Sequence, residues 1–281
     1  MSMKLPAFTP AQESLFLTLG GRALDSRLPH PFLGDTMADE IITKAGYDLA
    51  RFPSLTTKFL DQRSRVFDIA VRAKTLDDLV RRFISDHPDA VVLDLGVGLD
   101  TRMFRIDPPL TVGWYDIDFP EVMGLRARVV PPRAGAHGIG ADLTDPDWLE
   151  GVPGSRPAMI VADGLIAFLN QDGFVSLLNR LTRHFPSGEL AFNLYTRNAI
   201  WALKHLSSMA VIADGVVNPG FDNPRQPEDW VGGLKLVEEI FLTRAPEVAG
   251  LPLLLRATAR LAAPSARLSR LIGTVVVRYR F

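Results

Sequence analysis

The stretch Ala90-Val-Val-Leu-Asp-Leu-Gly-Val-Gly-Leu-Asp-Thr-Arg-Met-Phe-Arg105, followed by Trp114-Tyr-Asp-Ile-Asp-Phe-Pro120, constrains the chain most. The apolar run from Ala90 to Leu95 predicts a buried parallel strand. It ends in a turn carrying Gly96 and Gly98, whose missing side chains let backbone approach a ligand closely. A helix beginning near Asp100 would aim free N–H groups at the same place. Asp118 closes a second short strand twenty residues past Gly98, and a carboxylate at such a strand tip can accept both hydroxyls of an adenosine ribose. Asp116, on the same strand and facing the same way, is the alternative carboxylate. Thr101 stands where a dinucleotide fingerprint places its third glycine, so a cofactor without a pyrophosphate suits this loop better. The plain alternative is a strand–turn–helix with no ligand at all.

Leu95-Gly-x-Gly-Leu-Asp-Thr-Arg-x-x-Arg105 with Tyr115-Asp-Ile-Asp-Phe-Pro120 resembles the leucine carboxyl methyltransferase family. It is most similar to the bacterial branch, small-molecule O-methyltransferases linked to polyketide biosynthesis. Arg22-Ala-Leu-Asp-Ser-Arg27 and Leu33-Gly-Asp35 extend the resemblance to the N-terminal arm. It implies a class I α/β methyltransferase fold, doubly wound and mostly parallel with an antiparallel last strand, and S-adenosylmethionine as cofactor. It also implies that Arg63 holds the cofactor's methionyl carboxylate, and that Asp142 and Leu143 meet the adenine. Asp163-Gly164-Leu165 with Phe168-Leu169 resembles the family's Glu-Gly-Leu…Tyr-Leu motif, with a shorter carboxylate and without the phenol. Residue by residue, a structural ion pair for Arg63 and a loop cap for Asp142 are equally ordinary readings.

With 281 residues, 47% of them hydrophobic and 22% charged, the chain suits one large α/β domain. A net charge of −1 disfavours a dedicated nucleic-acid binder. With no cysteine there is no disulfide, thiolate nucleophile or Cys-ligated metal, and five scattered histidines make a zinc site improbable, so no metal is expected. No apolar run approaches the roughly 18 residues of a membrane span. Met1-Ser-Met-Lys-Leu-Pro6 lacks a signal-peptide core, so no membrane partner and a cytoplasmic location are expected.

Residues 1–88 read as a helical cap to the same domain, and 89–281 as the cofactor-binding core. A helix capped by Thr9, a second capped by Asp35 or Thr36, a third over 56–73 and a short one opening at Thr75-Leu-Asp-Asp78 are expected. The third carries Phe59, Val66 or Phe67, and Ala70 on its apolar stripe, with Arg63 among them. Strands are predicted near 90–95, 111–117, 136–141, 158–163 and 188–194, then 237–242 and 274–281, with the clearest helix at 170–185. The 243–272 stretch is predicted to be an amphipathic helical insert with a solvated arginine face. Alternating elements of this kind place ligands beyond the carboxyl ends of the strands.

The leading expectation is methyl transfer to a carboxylate or acidic phenol of a small molecule. Carboxylates are ionised at neutral pH and need no general base. Phe168, Tyr195, Arg197 and Trp201 are the expected acceptor mouth, with Arg197 orienting an anion. An NAD-dependent oxidoreductase would require a third glycine and a proton donor such as Tyr-x-x-x-Lys, and a non-catalytic cofactor binder is the third possibility.

Overall fold

Every strand expected from the sequence is present in the computed structural model, which describes residues 6–281. The reading of Met1 to Leu5 lies outside those residues. The strands are β1 (Val91–Leu95), β2 (Gly113–Asp118), β3 (Ala136–Gly140), β4 (Ala158–Ala162), β5 (Gly188–Leu194), β6 (Lys235–Phe241) and β7 (Val275–Arg280). They form one seven-stranded sheet in the order β3-β2-β1-β4-β5-β7-β6. β1 to β5 are parallel, while β7 runs antiparallel to both β5 and β6. The central strands β1 and β4 are buried along their whole length, as strands covered on both faces must be.

Strand alternation divides the core. Leu93, Ile117, Ile160 and Phe192 point to the face covered by Gln171–His184, whose Phe174, Leu177, Leu178 and Leu181 form its inner stripe. Val92, Trp114, Met159 and Ala191 point to the other face, where Val66, Leu76, Val80 and Phe83 pack. Leu95 pairs with Ile117 on one side and Ala162 on the other, so β1, β2 and β4 end together at one edge of the sheet.

The N-terminal cap begins with α1 (Pro10–Ser26) and α2 (Thr36–Ala45). Thr9 accepts from the Gln12 amide while Gln12 accepts from the Thr9 amide, and Asp35 accepts from the Ala38 amide. The next region departs from expectation. A single helix, α3, runs over Gln62–Asp86, capped by Asp61. Phe59 lies before it and is 99% exposed, so it belongs to no buried stripe. No new helix opens at Thr75, because its hydroxyl back-bonds to the Val71 carbonyl and Asp77 turns inward to arginines.

Further along the chain come α4 (Arg102–Ile106), α5 (Pro120–Val129), α6 (Gln171–His184) and α7 (Arg197–His205). The late insert holds two helices, α8 (Leu253–Ala262) and α9 (Ala266–Ile272), separated at Pro264. Arg260 and Arg267 are exposed, and so are most of the insert's leucines. α8 turns Ala259 and Ala262 inward and leaves Leu253, Leu254 and Leu261 exposed.

Candidate functional site

Beyond the carboxyl ends of β1, β2 and β4 lies a cavity of about 450 Å³, closed from above by α1 and α3. Its floor is the turn after β1. Gly96 and Gly98 hold φ of +63° and +51°, the left-handed region that suits glycine. A Cβ on Gly96 would come within 2.9 Å of Leu165, and one on Gly98 within 3.0 Å of Leu15. The turn is therefore pinched between the β4 loop and α1.

Asp118 ends β2 beside this turn. Its Oδ2 accepts the Gly98 amide at 2.7 Å and its Oδ1 the Phe119 amide at 2.7 Å. Burial outweighs both bonds and pushes its carboxyl up to about 6. Asp116 does not reach the cavity. Its carboxylate takes Trp114 Nε1 at 2.8 Å and Arg126 Nη2 at 2.7 Å, and Arg126 in turn donates to the Asp100 carbonyl. Asp116 thus braces the turn from below rather than presenting a ligand.

The Asp-Thr-Arg run forms a buried ion network that ties the cap to the turn. Arg102 donates to Asp77 at 2.9 Å and to both oxygens of Asp94. Arg105 bridges Asp35, Asp77 and Asp100, while Arg22 reaches Asp35 and the Leu99 carbonyl. Thr101 donates to Asp35, which is why no glycine stands there. Burial drives the Asp94 carboxyl up to about 7 despite Arg102. Burial also works on Asp100, but Arg105, Arg22 and Arg102 hold it well below the carboxylate range. Sequence reasoning quoted several of these residues as motif letters without assigning them this role. The available signal was the density of Asp and Arg in an otherwise apolar, strand-forming stretch.

The far wall comes from the β4 and β5 loops. Asp163 accepts Arg72 Nε at 2.5 Å through Oδ1, while its buried Oδ2 has no hydrogen-bond partner. Gly164, at φ +80°, donates to Asn193 Oδ1 at 2.8 Å, fixing the loop that carries Asp163. Phe168 and Tyr195 line the cavity with Leu203, Met209 and Ile212 as an apolar chamber. Burial raises the Tyr195 phenol above its ordinary value, so it is a hydrogen-bond donor at neutral pH.

Five expected residues lie elsewhere. Arg63 sits on the outer side of α3, donating to the carbonyls of Gly250 at 2.9 Å and His30 at 2.7 Å, over the Phe32 ring. At 100° per residue, the cavity side of α3 instead carries Arg65, Asp68, Ile69 and Arg72. Arg65 donates to the Thr57 carbonyl, and its buried Nε is without a partner, as is the nearby cavity-lining Ser54 Oγ. Arg197 and Trp201 share the wrong side of α7 for the same reason, since Asn198, Ala199, Ala202 and Leu203 face the cavity. Trp201 is 57% exposed and stacks on His205, and Arg197 borders a separate recess near Trp230. Asp142 is exposed and accepts from the Thr144 amide and hydroxyl, and Leu143 is core; neither lines the cavity. The Ala141 amide donates to the Asp118 carbonyl, so the chain after β3 leaves alongside the tip of β2.

A family model described as leucine carboxyl methyltransferase matches residues 16–182. The chain is 41% identical over 243 residues to the tetracenomycin polyketide synthesis O-methyltransferase TcmP of Streptomyces glaucescens, covering 86% of each chain. The chain belongs to the leucine carboxyl methyltransferase family.

It is also 31% identical over 257 residues, 83% of each chain, to the S-adenosyl-L-methionine-dependent methyltransferase dpfgK of Gibberella zeae. A Thermobifida fusca crystal structure named as that of a methyltransferase shares the fold at TM-score 0.53 and 17% identity, covering 92% of this chain and 93% of the other. This family member is an S-adenosylmethionine-dependent methyltransferase, which sets aside the oxidoreductase reading. Its residues fit that cofactor. Gly96 and Gly98 bring backbone to the cavity wall, the Asp118 carboxylate keeps lone pairs for hydroxyl donors, and Asp163 Oδ2, 3.8 Å from Arg102 Nη2 but without a hydrogen bond, keeps acceptor capacity. Among the described residues no cluster of His, Cys, Asp or Glu could hold a metal, and no helix is long and apolar enough to cross a membrane.

Proposed function

We propose that the protein transfers a methyl group to the oxygen of a carboxylate or acidic phenol on a small, partly apolar molecule. The observation that carries this reading is one cavity whose lining combines carboxylates, Asp118 and Asp163 among them, with the apolar side chains of Phe168, Leu203, Met209 and Ile212. S-Adenosylmethionine supplies a methyl on a sulfonium, so the protein's task is alignment and charge complementarity rather than bond-making of its own. Asp118 would hold the ribose hydroxyls and Asp163, fixed by Arg72, the ammonium. Arg65 takes over the role expected of Arg63, because its free Nε suits the cofactor's carboxylate. Asp142 and Leu143 remain the proposed adenine neighbours by their place beside Asp118.

No histidine or lysine lines the cavity among the described residues. Asp94 and Asp100 are engaged by arginines, and Asp68 lies 3.6 Å from Arg72. An acceptor already ionised at neutral pH fits such a site, since it needs no proton removed. Tyr195, kept protonated, donates a hydrogen bond to the acceptor's non-reacting oxygen. The name of the Streptomyces relative supports oxygen as the accepting atom and a polyketide-type scaffold. Transfer of labelled methyl to a panel of aromatic acids, phenols, aliphatic alcohols and amines tests the reading. Acids and acidic phenols should be turned over, and turnover confined to amines or aliphatic alcohols would overturn it.

A further inference from the structure

The insert between β6 and β7 carries an apolar face that nothing in the fold covers. On α8, Leu253, Leu254 and Leu261 are 72%, 77% and 80% exposed, and on α9 Leu268, Leu271 and Ile272 are 47%, 58% and 48% exposed. Their spacing repeats helically, so each helix offers one apolar stripe to solvent while alanines and Ser269 face inward. A fold that needed these helices only as filler would turn the leucines in. Leu253, Leu254 and Leu261 protrude as a ridge on α8, while Leu271 and Ile272 at the end of α9 border the cavity.

The charge around the ridge has one sign. From Arg244 to Ile272 the chain carries Arg244, Arg256, Arg260, Arg267 and Arg270 against the single carboxylate Glu247. Glu247 is paired with Lys74, and Arg270 with Glu239. The other four arginines have no ion-pair partner among the described residues; Arg244 and Arg256 donate to backbone carbonyls only. A second copy of this face would set arginines against arginines with no carboxylate between them. An anionic surface with an apolar interior meets both features, the pattern of a helix lying in a lipid interface.

We propose that α8 and α9 dock the protein on an anionic lipid bilayer, leucines in the acyl boundary and arginines at the headgroups. This differs from a spanning segment: among the described residues no helix is long and apolar enough to cross a membrane. Leu271 and Ile272 also line the cavity, so the docked face opens toward the acceptor chamber. An apolar acceptor partitioned into the bilayer would then enter without crossing water. That entry route rests on the proposed acceptor, whereas the docking itself does not.

Co-sedimentation of the full chain with phosphatidylglycerol-containing vesicles and with pure phosphatidylcholine vesicles tests the docking. Binding should favour the anionic vesicles and weaken with added salt. The combined variant Leu253→Ser, Leu254→Ser, Leu261→Ser should bind about tenfold more weakly or worse, since area buried sets such affinity. Its substituted side chains are exposed, and an unchanged melting temperature with unchanged cofactor binding shows that it is folded. Arg260→Glu with Arg267→Glu should abolish the preference for anionic vesicles. Absence of vesicle binding, or binding indifferent to the leucine variant, overturns the proposal. So does a dimer in light scattering that the leucine variant dissolves, which would give the face to a second copy. Docking without activity on any acid or phenol would leave this inference standing and reject the proposed acceptor.

Discussion

Asp118 Oδ2 lies 2.7 Å from the amide of Gly98, twenty residues earlier in the chain. That bond locks the tip of β2 to the turn after β1, so the carboxylate and the bare glycine backbone face one space. Everything proposed for the cofactor depends on this join.

Replacing Asp118 by Ala should weaken S-adenosylmethionine binding roughly ten- to hundredfold, the cost of about 1.5–3 kcal/mol for a charge-assisted hydrogen bond. Calorimetry on the folded variant measures it, and unchanged affinity would reject the assignment.

The same carboxyl sets a pH dependence. Its folded-state value is pushed up to about 6 by burial, and only the ionised form accepts two hydroxyls. Affinity should be constant above about pH 7 and fall as pH drops through 6, by up to about tenfold per unit. For stability the sign is opposite: a raised carboxyl favours the fold at low pH, and this contribution is lost as pH rises from about 4 to about 6. Asp118→Asn should flatten the 6-centred fall in binding.

Arg65 and Arg63 should separate cleanly. Arg65→Met should lower cofactor affinity about tenfold or more, because a free guanidinium Nε in the cavity is lost. Arg63→Met should leave affinity unchanged and lower thermal stability slightly through its two carbonyl contacts. The reverse outcome restores the role that the sequence assigned to Arg63.

Arg102→Met should destabilise the fold by about 3–5 kcal/mol, since it strands the buried carboxylate of Asp94 and leaves Asp77 to Arg105 alone. Denaturant unfolding reads this directly. A loss under 1 kcal/mol would mean that those carboxyls simply take up protons in its absence.

On the acceptor side, Arg197→Ala should leave turnover intact because Arg197 faces another recess. Tyr195→Phe should slow turnover of acids with little change in cofactor affinity. Equal loss of both parameters would place Tyr195 in cofactor binding instead.

The sequence alone determined the order of the strands, the Gly-x-Gly turn, the carboxylate that follows it and the family. Those signals are local: apolar runs, glycines and short spacings act within a few residues, and period 2 or 3.6 reads them directly. Only the tertiary structure decided which side of each helix faces the cavity. Arg63 and Arg65 differ by two residues yet fall on opposite sides of α3, because two residues turn an α-helix by about 200° and only packing decides which side meets the cavity. Arg197 and Trp201 share the outward side of α7 by the same rotation. The outward leucines of α8 were invisible to an amphipathic pattern, which gives a stripe but not the direction it points. That direction is set by what packs against the helix, and here Ala259 and Ala262 are turned inward against the turns that follow β6 while the leucines were left to meet something else.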